Sequence, residues 1–365
     1  MAKRVIISGG GTGGHIFPAI AIANALKKID SQTEILFVGA NGRMEMEKVP
    51  AAGYKIIGLD ISGFQRASLI KNVFLPFKVL KSVLKARAII KDFNPDVVVG
   101  VGGYASGPLL YAASQMNIPY LIQEQNSYAG ITNKWLGKNA SVICVAFDGM
   151  EKFFPKDKIL LTGNPIRKEA VDIENKRFEA AELLGLTPHK KTILVIGGSL
   201  GSATLNKSVL AAIDKIRAAD VQVIWQTGKY YFQSILEQLK GKEHPNLKVL
   251  EFFHRMDLAY AACDLVISRA GAGTIAELCA VKKPVILVPS PNVAEDHQTK
   301  NAMALLEKNA ALLVTDAMAE FELMDIALLL LDNKEKCKDL VNQIGKMELP
   351  HSDEIIANEV FKLAK

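Results

Sequence analysis

Cysteine is scarce in this sequence, which has four in 365 residues, and none of the four stands in Cys-x-x-Cys spacing. A disulfide framework and a cysteine zinc site are therefore excluded, and a reducing compartment is expected. Long apolar runs are also missing. No stretch reaches the ~18 residues of a membrane-spanning helix, and the run at 5–7 is too short for a signal peptide. We expect a cytoplasmic protein whose contact with any membrane is peripheral.

Low-complexity segments and extreme charge are absent as well. Hydrophobic residues make up 49% of the chain, which predicts a well-packed globular protein. A length of 365 residues is sufficient for two domains. The formal net charge of +6 is modest. It favours anionic partners such as phosphates, nucleic acid or acidic lipid, without choosing among them.

Short β-branched runs alternate with longer helical patterns along the whole chain. Strands separated by helices predict an α/β fold with parallel sheets covered on both faces, the doubly wound arrangement. Such sheets bind ligands beyond the carboxyl ends of their strands. The predicted strands are 5–8, 34–38, 96–100, 119–122, 142–145, 192–196, 221–225, 247–250, 265–268 and 285–288.

The two halves of the chain open in the same way, with an apolar strand that runs directly into glycines at 9–11 and at 197–198. This repetition predicts two doubly wound, Rossmann-like domains facing each other across a cleft. The turn Gly163-Asn164-Pro165 marks the boundary. We therefore expect an N-terminal domain at 1–163, a C-terminal domain at 164–345, and a final helix within 346–365 that returns to the first domain.

The first glycine loop, residues 9–15, reads Gly-Gly-Gly-Thr-Gly-Gly-His between a strand and a helix. It matches the spacing of a dinucleotide site, but the second strand ends in Phe-Val-Gly-Ala-Asn, without the acid that would bind a ribose. A P-loop is excluded because no Gly-Lys-Ser/Thr follows. Glycines still let a ligand approach the backbone, and N–H groups at a helix start attract an anion. The alternative is a tight turn without a ligand.

Two further glycine clusters follow predicted strands: the second glycine loop at 100–107 and the third at 197–201. The first two loops come from neighbouring strands of one sheet and are expected to line the same crevice. That arrangement suits a ligand with two phosphates, or with a phosphate and a sugar. The third loop offers the same kind of site in the second domain.

Several motifs, in this order along the chain, resemble those of the MurG family of bacterial glycosyltransferases. The resemblance runs from residue 3 to about 310 and implies a GT-B fold, an inverting displacement, no metal and no cofactor. It also implies transfer of N-acetylglucosamine from UDP-GlcNAc to lipid I, the polyprenyl-diphosphate-linked muramyl pentapeptide. The motifs are Gly-Gly-Thr-Gly-Gly-His at 10–15, Gly-Gly-Tyr at 102–104, Glu-Gln-Asn at 124–126, Gly-Asn-Pro-Ile-Arg at 163–167, Gly-Gly-Ser at 197–199, Ser-Arg-Ala-Gly at 268–271 and His-Gln-x-x-Asn-Ala at 297–302.

The resemblance assigns the donor mainly to the second half. Glu277 is expected to accept hydrogen bonds from the ribose; the alternative is a solvated carboxylate on a helix. Phe252 and Phe253 would frame the uracil, unless they belong to the core. Leu200 departs from the glutamine common in the family, and its side chain cannot hydrogen-bond. The residues implied for UDP-GlcNAc are Thr12, Gly13, Gly14, Asn126, Arg167, Ser199, Phe252, Phe253, Arg269, Thr274, Glu277, Gln298 and Asn301.

The acceptor is assigned to the first half. His15 is the candidate general base for the muramyl 4-hydroxyl, because histidine titrates near working pH; orientation or capping is its alternative role. Glu124 is the other catalytic candidate, as the base or as the partner that aligns His15. The residues implied for the acceptor are Gly11, Thr12, Gly13, Gly14, Gly102, Gly103 and Tyr104.

The segment 66–91 carries seven cations and no acid. Leu69, Val73, Phe77, Leu80 and Leu84 form one helical stripe, which alone would indicate an ordinary covering helix. Apolar residues also fall among the lysines, however, which favours an anionic membrane surface. Pro76 predicts two shorter helices or a kink. The alternative, a nucleic-acid-binding surface, is not favoured, because this segment lacks the aromatic platforms that such a surface uses.

Together with these observations, the MurG resemblance implies a peripheral enzyme on the cytoplasmic face of the bacterial plasma membrane. Its partners would be UDP-GlcNAc, lipid I and an anionic membrane surface, with other cell-wall synthesis proteins as candidates and nucleic acid excluded. Two alternatives stay open. One is another GT-B enzyme, such as a UDP-sugar 2-epimerase, and the other is a non-catalytic nucleotide-sugar sensor.

Overall fold

The computed structural model describes residues 2–61, 75–198 and 200–364. The chain forms two compact units, Met1–Ile166 with Leu349–Lys365, and Arg167–Glu348. The first unit thus ends three residues after the predicted boundary at 163, and the returning tail begins at 349 rather than 346. Because the C-terminal residues pack in the first unit, that unit is discontinuous in sequence.

The first unit contains a seven-stranded parallel sheet with the order β3-β2-β1-β4-β5-β6-β7. Its inner strand β1 pairs on both sides, so that Ile6 lies opposite Leu36 and Val98. These side chains are buried because both faces of the sheet are covered. The strands are β1 (Arg4–Gly9), β2 (Glu34–Ala40), β3 (Lys55–Leu59), β4 (Val97–Gly102), β5 (Tyr120–Glu124), β6 (Val142–Val145) and β7 (Ile159–Leu161).

Helices cover this sheet in two layers. In one core cluster, residues of α3, α4 and α5 pack against strand residues. In the other, residues of α1 and of the C-terminal helix α16 do so. The helices of the first unit are α1 (Gly13–Ile29), α2 (Glu45–Ala51), α3 (Leu75–Phe93), α4 (Ser106–Gln115), α5 (Ile131–Gly137) and α16 (Ser352–Leu363).

The C-terminal helix α16 packs against α1. Ile356, Ala357 and Val360 are fully buried in the cluster that also holds Ile22. A 3.0 Å ion pair between Lys28 and Glu354 lies at the rim. The apolar face of α16 therefore completes one layer of the first unit.

The second unit contains a six-stranded parallel sheet with the order β10-β9-β8-β11-β12-β13. Counted within the unit this is 3-2-1-4-5-6, the strand order of Rossmann nucleotide-binding domains. The strands are β8 (Thr192–Ile196), β9 (Gln222–Gln226), β10 (Leu247–Leu250), β11 (Leu265–Ser268), β12 (Val285–Leu287) and β13 (Leu312–Leu313). The helices are α6 (Lys168–Val171), α7 (Arg177–Leu184), α8 (Ala203–Ala211), α9 (Ile213–Ala218), α10 (Phe232–Gln238), α11 (Met256–Ala262), α12 (Ala272–Val281), α13 (His297–Leu306), α14 (Asp316–Asp332) and α15 (Lys334–Gly345).

All ten predicted strands are present, and the doubly wound α/β fold is confirmed. Sequence reasoning missed β3, β7 and β13, which lie at sheet edges. These strands are short and only partly buried. They lack the continuous apolar runs of doubly covered strands, which are the signal that identified the others.

Helix α3 buries a different stripe from the one expected of a covering helix. Val83, Ala86 and Ile90 face the core, whereas Phe77 is 71% and Leu84 57% exposed. Pro76 lies near the start of the described part of α3, and the break or kink predicted there extends into residues that lie outside the described ranges. Leu69, Val73 and the cations before residue 75 lie outside the described residues. No helix in the described ranges is long and apolar enough to cross a membrane.

Candidate active site

The first two glycine loops touch at the carboxyl ends of the adjacent strands β1 and β4. The N–H of Gly10 donates to the carbonyl oxygen of Gly102 over 3.2 Å. A Cβ on Gly103 would lie 2.3 Å from the carbonyl oxygen of Gly10, and the φ of Gly103 is +91°. Only glycine allows this approach and this backbone conformation. The two loops therefore form one continuous backbone surface.

His15 lies at the junction of the two loops. A Cβ on Gly102 would be 2.4 Å from the His15 Cδ2 atom, so the ring packs directly on this glycine. The Nδ1 atom of His15 is 3.2 Å from the Thr12 hydroxyl, a contact that orients the ring. Thr12 does not cap α1 with its side chain. The first turn of α1, whose leading N–H groups lack this side-chain cap, therefore lies in the same short segment as the histidine.

Glu124 is buried at the end of β5, and both of its oxygens are engaged by the loop that follows. Oε1 accepts from the N–H of Asn126 at 3.1 Å, and Oε2 accepts from the Asn133 amide at 2.8 Å and the N–H of Gly130 at 3.2 Å. Burial raises the pKa of Glu124, while these hydrogen bonds lower it. Glu124 thus orders residues 126–133.

The third glycine loop connects β8 to α8 in the second unit. A Cβ on Gly201 would lie 2.0 Å from the carbonyl oxygen of Thr227, and Gly201 has a φ of +84°. The buried Gln226 amide donates to the carbonyl oxygen of Gly198 at 3.1 Å and so holds the start of the loop. Leu200 is exposed, and Ser199 lies outside the described residues.

Glu277, on α12, accepts a 3.0 Å hydrogen bond from the hydroxyl of Tyr260 on α11. Burial raises the pKa of Glu277, and the Tyr260 bond and the charge of Arg167 lower it. Arg167 is exposed just before α6, which packs on both α11 and α12. The Glu277 carboxylate, which can accept hydrogen bonds, and the Arg167 cation therefore lie in one region of the second unit.

Comparison with known proteins agrees with this arrangement. Residues 5–145 match the model of the glycosyltransferase family 28 N-terminal domain, and 192–354 match that of the C-terminal domain. The chain is 58% identical, over 100% of its length and 96% of the relative's, to the UDP-N-acetylglucosamine--N-acetylmuramyl-(pentapeptide) pyrophosphoryl-undecaprenol N-acetylglucosamine transferase of Bacteroides fragilis. The chain belongs to the MurG group of glycosyltransferase family 28.

Solved structures place the fold in the same group. The crystal structure of MurG from Acinetobacter baumannii matches with a TM-score of 0.80 and 29% identity, covering 99% of each chain. A UDP-GlcNAc 2-epimerase from Neisseria meningitidis, bound to UDP-GlcNAc, matches with a TM-score of 0.69 but 15% identity, covering 99% of this chain and 100% of that one. The second match shows a shared fold alone.

Two residues that the MurG resemblance assigned to the donor have buried structural partners in this chain. The Arg269 guanidinium donates to Asp316 at 2.5 Å and to the Ser202 hydroxyl at 2.6 Å, so it joins three segments of the second unit. Asn301 is 0% exposed, and its amide donates to the carbonyl oxygen of Ala270 at 3.3 Å. Arg269, expected as a second cation for the donor, is thus already paired within the second unit, and Asn301 supports the loop before α12.

The two phenylalanines differ in exposure. Phe253 is buried, and its backbone N–H donates to the Gln226 side chain at 2.9 Å. That N–H is therefore already paired and does not donate to the uracil in this arrangement. Phe252 is exposed and offers a ring face. Gln298 accepts from the N–H of Ser290 through Oε1 at 2.9 Å, which leaves its amide nitrogen to donate.

Thr274 lies in the first turn of α12, with its hydroxyl 3.7 Å from a Cβ position on Gly271. Asn126 donates its side-chain amide to Glu124 at 3.4 Å, within the loop after β5. In the described part of the chain, no three His, Cys, Asp or Glu residues are grouped so as to hold a metal ion.

Several residues of this MurG-family site were missed by sequence reasoning. Tyr260 donates to Glu277, Gln226 donates to the third glycine loop, and Glu45 contacts the first glycine loop. The Arg43 guanidinium lies 5.6 Å from the ring centroid of the exposed Tyr104, whose ring reaches 4.0 Å from a Cβ position on Gly11. A short Arg-Met-Glu turn carries no recognisable motif, so the sequence offered no signal for it.

Proposed function

We propose that this chain transfers N-acetylglucosamine from UDP-GlcNAc to the 4-hydroxyl of the muramyl sugar of lipid I. The product is lipid II, the precursor of peptidoglycan. The observation that carries this proposal is the pair of touching glycine loops with His15 at their junction, in a chain 58% identical to a relative named for this transfer.

In this proposal the first unit binds the acceptor. The N–H groups at the start of α1 attract the lipid diphosphate, because a helix N-terminus carries partial positive charge. Tyr104 and the second glycine loop would line the same site. His15 takes the proton of the 4-hydroxyl as the oxygen forms its bond to C1 of N-acetylglucosamine. The C1–oxygen bond to UDP breaks at the same time, and the anomeric configuration inverts.

The second unit binds UDP-GlcNAc in this proposal. Glu277 accepts from the ribose hydroxyls, Phe252 supplies a face for the uracil, and Gln298 donates to the transferred sugar. Arg167 and the N–H groups of the third glycine loop would stabilise the charge that develops on the leaving diphosphate. We propose that the reaction needs no metal and no cofactor.

A turnover assay tests this function against both alternatives. With UDP-GlcNAc and a lipid I analogue, the protein should release UDP and form lipid II, and His15→Ala should lose at least about a hundredfold in kcat. A 2-epimerase would isomerise the sugar and release UDP without an acceptor. A sensor would bind UDP-GlcNAc without turnover under either condition. Either of the last two outcomes contradicts the proposed transfer.

The proposed membrane surface is the outer face of α3, on the cytoplasmic side of the plasma membrane. Phe77, Leu80 and Leu84 are exposed there, beside the exposed cations Lys78 and Lys81. Apolar side chains among cations match the chemistry of an anionic bilayer surface, where each cation contributes ~1 kcal/mol. The polyprenyl tail of the acceptor would remain in that bilayer.

Vesicle sedimentation tests this surface. The double variant Leu80→Gln/Leu84→Gln should bind phosphatidylserine-containing vesicles at least about tenfold more weakly, because two exposed apolar side chains no longer insert. Leu329→Gln is the control, because Leu329, on α14 of the second unit, is even more exposed than Leu80 and Leu84. Equal binding by the double variant and the control would contradict the assignment to α3.

A further inference from the structure

A buried carboxylate holds the first glycine loop from below. Glu45 begins α2 and is 1% exposed. Its Oε2 atom accepts from the N–H of Gly11 at 2.8 Å, and its Oε1 atom accepts from the N–H of Ala40 at 3.0 Å. This single side chain therefore connects the loop after β1 to the end of β2.

Two glycines make room for this carboxylate. A Cβ on Gly10 would lie 2.2 Å from Glu45 Oε1, and a Cβ on Gly39 would lie 2.6 Å from its Cγ atom. Neither glycine has a positive φ, so the space they leave, rather than an unusual backbone conformation, explains them. Part of the glycine richness of the first loop thus accommodates an internal anion.

This geometry changes what the loop can offer to a ligand. The N–H of Gly11 is already paired with a charged acceptor, and charge-assisted bonds of this kind are stronger than neutral ones. The carboxylate also places negative charge directly beneath Gly10 and Gly11. An anionic ligand is therefore directed away from Gly11 and toward the N–H groups at the start of α1.

We propose that Glu45 is a positioning residue of the acceptor site, an inference that rests on the proposed function. It holds the first glycine loop against the second, with His15 at their junction, and it reserves the Gly11 N–H so that the acceptor diphosphate binds at the start of α1. A carboxylate is required because it can accept from both N–H groups. An amide would turn an NH₂ donor toward one of them.

The isosteric variant Glu45→Gln tests the proposal. Its kcat/KM for the lipid acceptor should fall at least about tenfold, which corresponds to ~1.4 kcal/mol, while the Kd for UDP-GlcNAc stays within about twofold. Glu47→Gln is the matched control, because Glu47 lies on the same helix but is 76% exposed. Its acceptor kinetics should equal those of the unsubstituted chain.

Hydrogen exchange supplies a readout that does not depend on catalysis. In the peptide that covers residues 9–15, Glu45→Gln should exchange faster than both the unsubstituted chain and Glu47→Gln, since the Gly11 N–H loses its acceptor. If the unsubstituted chain transfers no sugar but Glu45→Gln still exchanges faster, the role of Glu45 in the loop stands and the proposed function is rejected. Unchanged exchange together with normal transfer would reject the role of Glu45 alone.

A third variant covers the case in which Glu45→Gln does not fold. Glu45→Asp keeps the charge but shortens the reach, so it should show the same loss of acceptor kcat/KM with donor affinity preserved. If both variants lose the folded first unit, Glu45 is a requirement of the fold and the proposal is overturned. Wild-type acceptor kinetics in Glu45→Gln would overturn it as well.

Discussion

The Tyr260–Glu277 pair offers the sharpest test of the donor site. Tyr260→Phe removes only the hydroxyl that donates to Glu277 at 3.0 Å. Tyr260 is fully buried, and phenylalanine fills the same ring volume, so no large cavity forms. A hydrogen bond to a charged group contributes ~1.5–3 kcal/mol. If about half of this, ~0.75–1.5 kcal/mol, acts on the orientation of Glu277 toward the ribose, the Kd for UDP-GlcNAc should rise about four- to twelvefold.

The pH dependence of donor binding gives the sign of the effect. Ribose hydroxyls donate to the ionised carboxylate, so affinity should fall as the pH drops through the pKa of Glu277. Burial raises that pKa, and the Tyr260 hydroxyl lowers it. Without the hydroxyl the pKa rises further, so in Tyr260→Phe the loss of affinity should begin at a higher pH than in the unsubstituted chain.

Titration calorimetry with Tyr260→Phe, Glu277→Gln and the double variant completes the test. If Tyr260 acts through Glu277, the double variant should bind UDP-GlcNAc about as weakly as Glu277→Gln alone. Strictly additive losses, or a Kd in Tyr260→Phe within twofold of the original at every pH, would refute the reasoning. Additive losses would mean that Tyr260 affects donor binding independently of Glu277, and an unchanged Kd would leave Tyr260 as a core residue without a role in the donor site.

Three further predictions concern the glycine junction, the base and the thiols. Gly103→Ala should lower the free energy of unfolding by ~3 kcal/mol or more in chemical denaturation. The control Gly53→Ala, where φ is +87° but the space around the glycine is open, should lower it by only ~1 kcal/mol; equal losses would contradict the close contact of the loops. His15→Asn should remove the ascending limb of the pH profile of kcat/KM for the acceptor, and Glu124→Gln should retain it, because Glu124 is engaged by its own loop; the reverse pattern would make Glu124 the base. Burial raises the pKa of Cys144, Cys263 and Cys279 to about 12, so at pH 8 an aromatic disulfide reagent should modify the half-buried Cys337 first and the other three only on unfolding; equal rates in the native protein would contradict this burial.

Much of the candidate site could be located from the sequence, because glycine loops are local. The first and second loops follow apolar strands, and parallel strands carry such loops to one edge of a sheet. Their contact at Gly10 and Gly102 follows from the adjacency of β1 and β4. Adjacency of this kind is a common property of doubly wound sheets, so the sequence pattern was sufficient to anticipate it.

The state of individual polar side chains could not be predicted in the same way. Arg269 pairs with Asp316, 47 residues further along the chain, and Asn301 is buried under a loop 31 residues before it. A motif names a residue type and its spacing. It does not say whether a tertiary neighbour already occupies the hydrogen-bonding groups of that residue.

The sequence by itself determined the alternation of strands and helices, the two-unit organisation and the position of the glycine loops. These features depend on apolar periodicity and on backbone freedom, which are local properties of the chain. Only the tertiary structure decided which charges are available to a ligand. The sequence has no acid at the end of β2, yet Glu45 of α2 places its carboxylate there. That carboxylate accepts hydrogen bonds from the backbone N–H groups of Gly11 and Ala40. Burial and long-range pairing assign such groups, because their energies depend on neighbours that are distant in sequence.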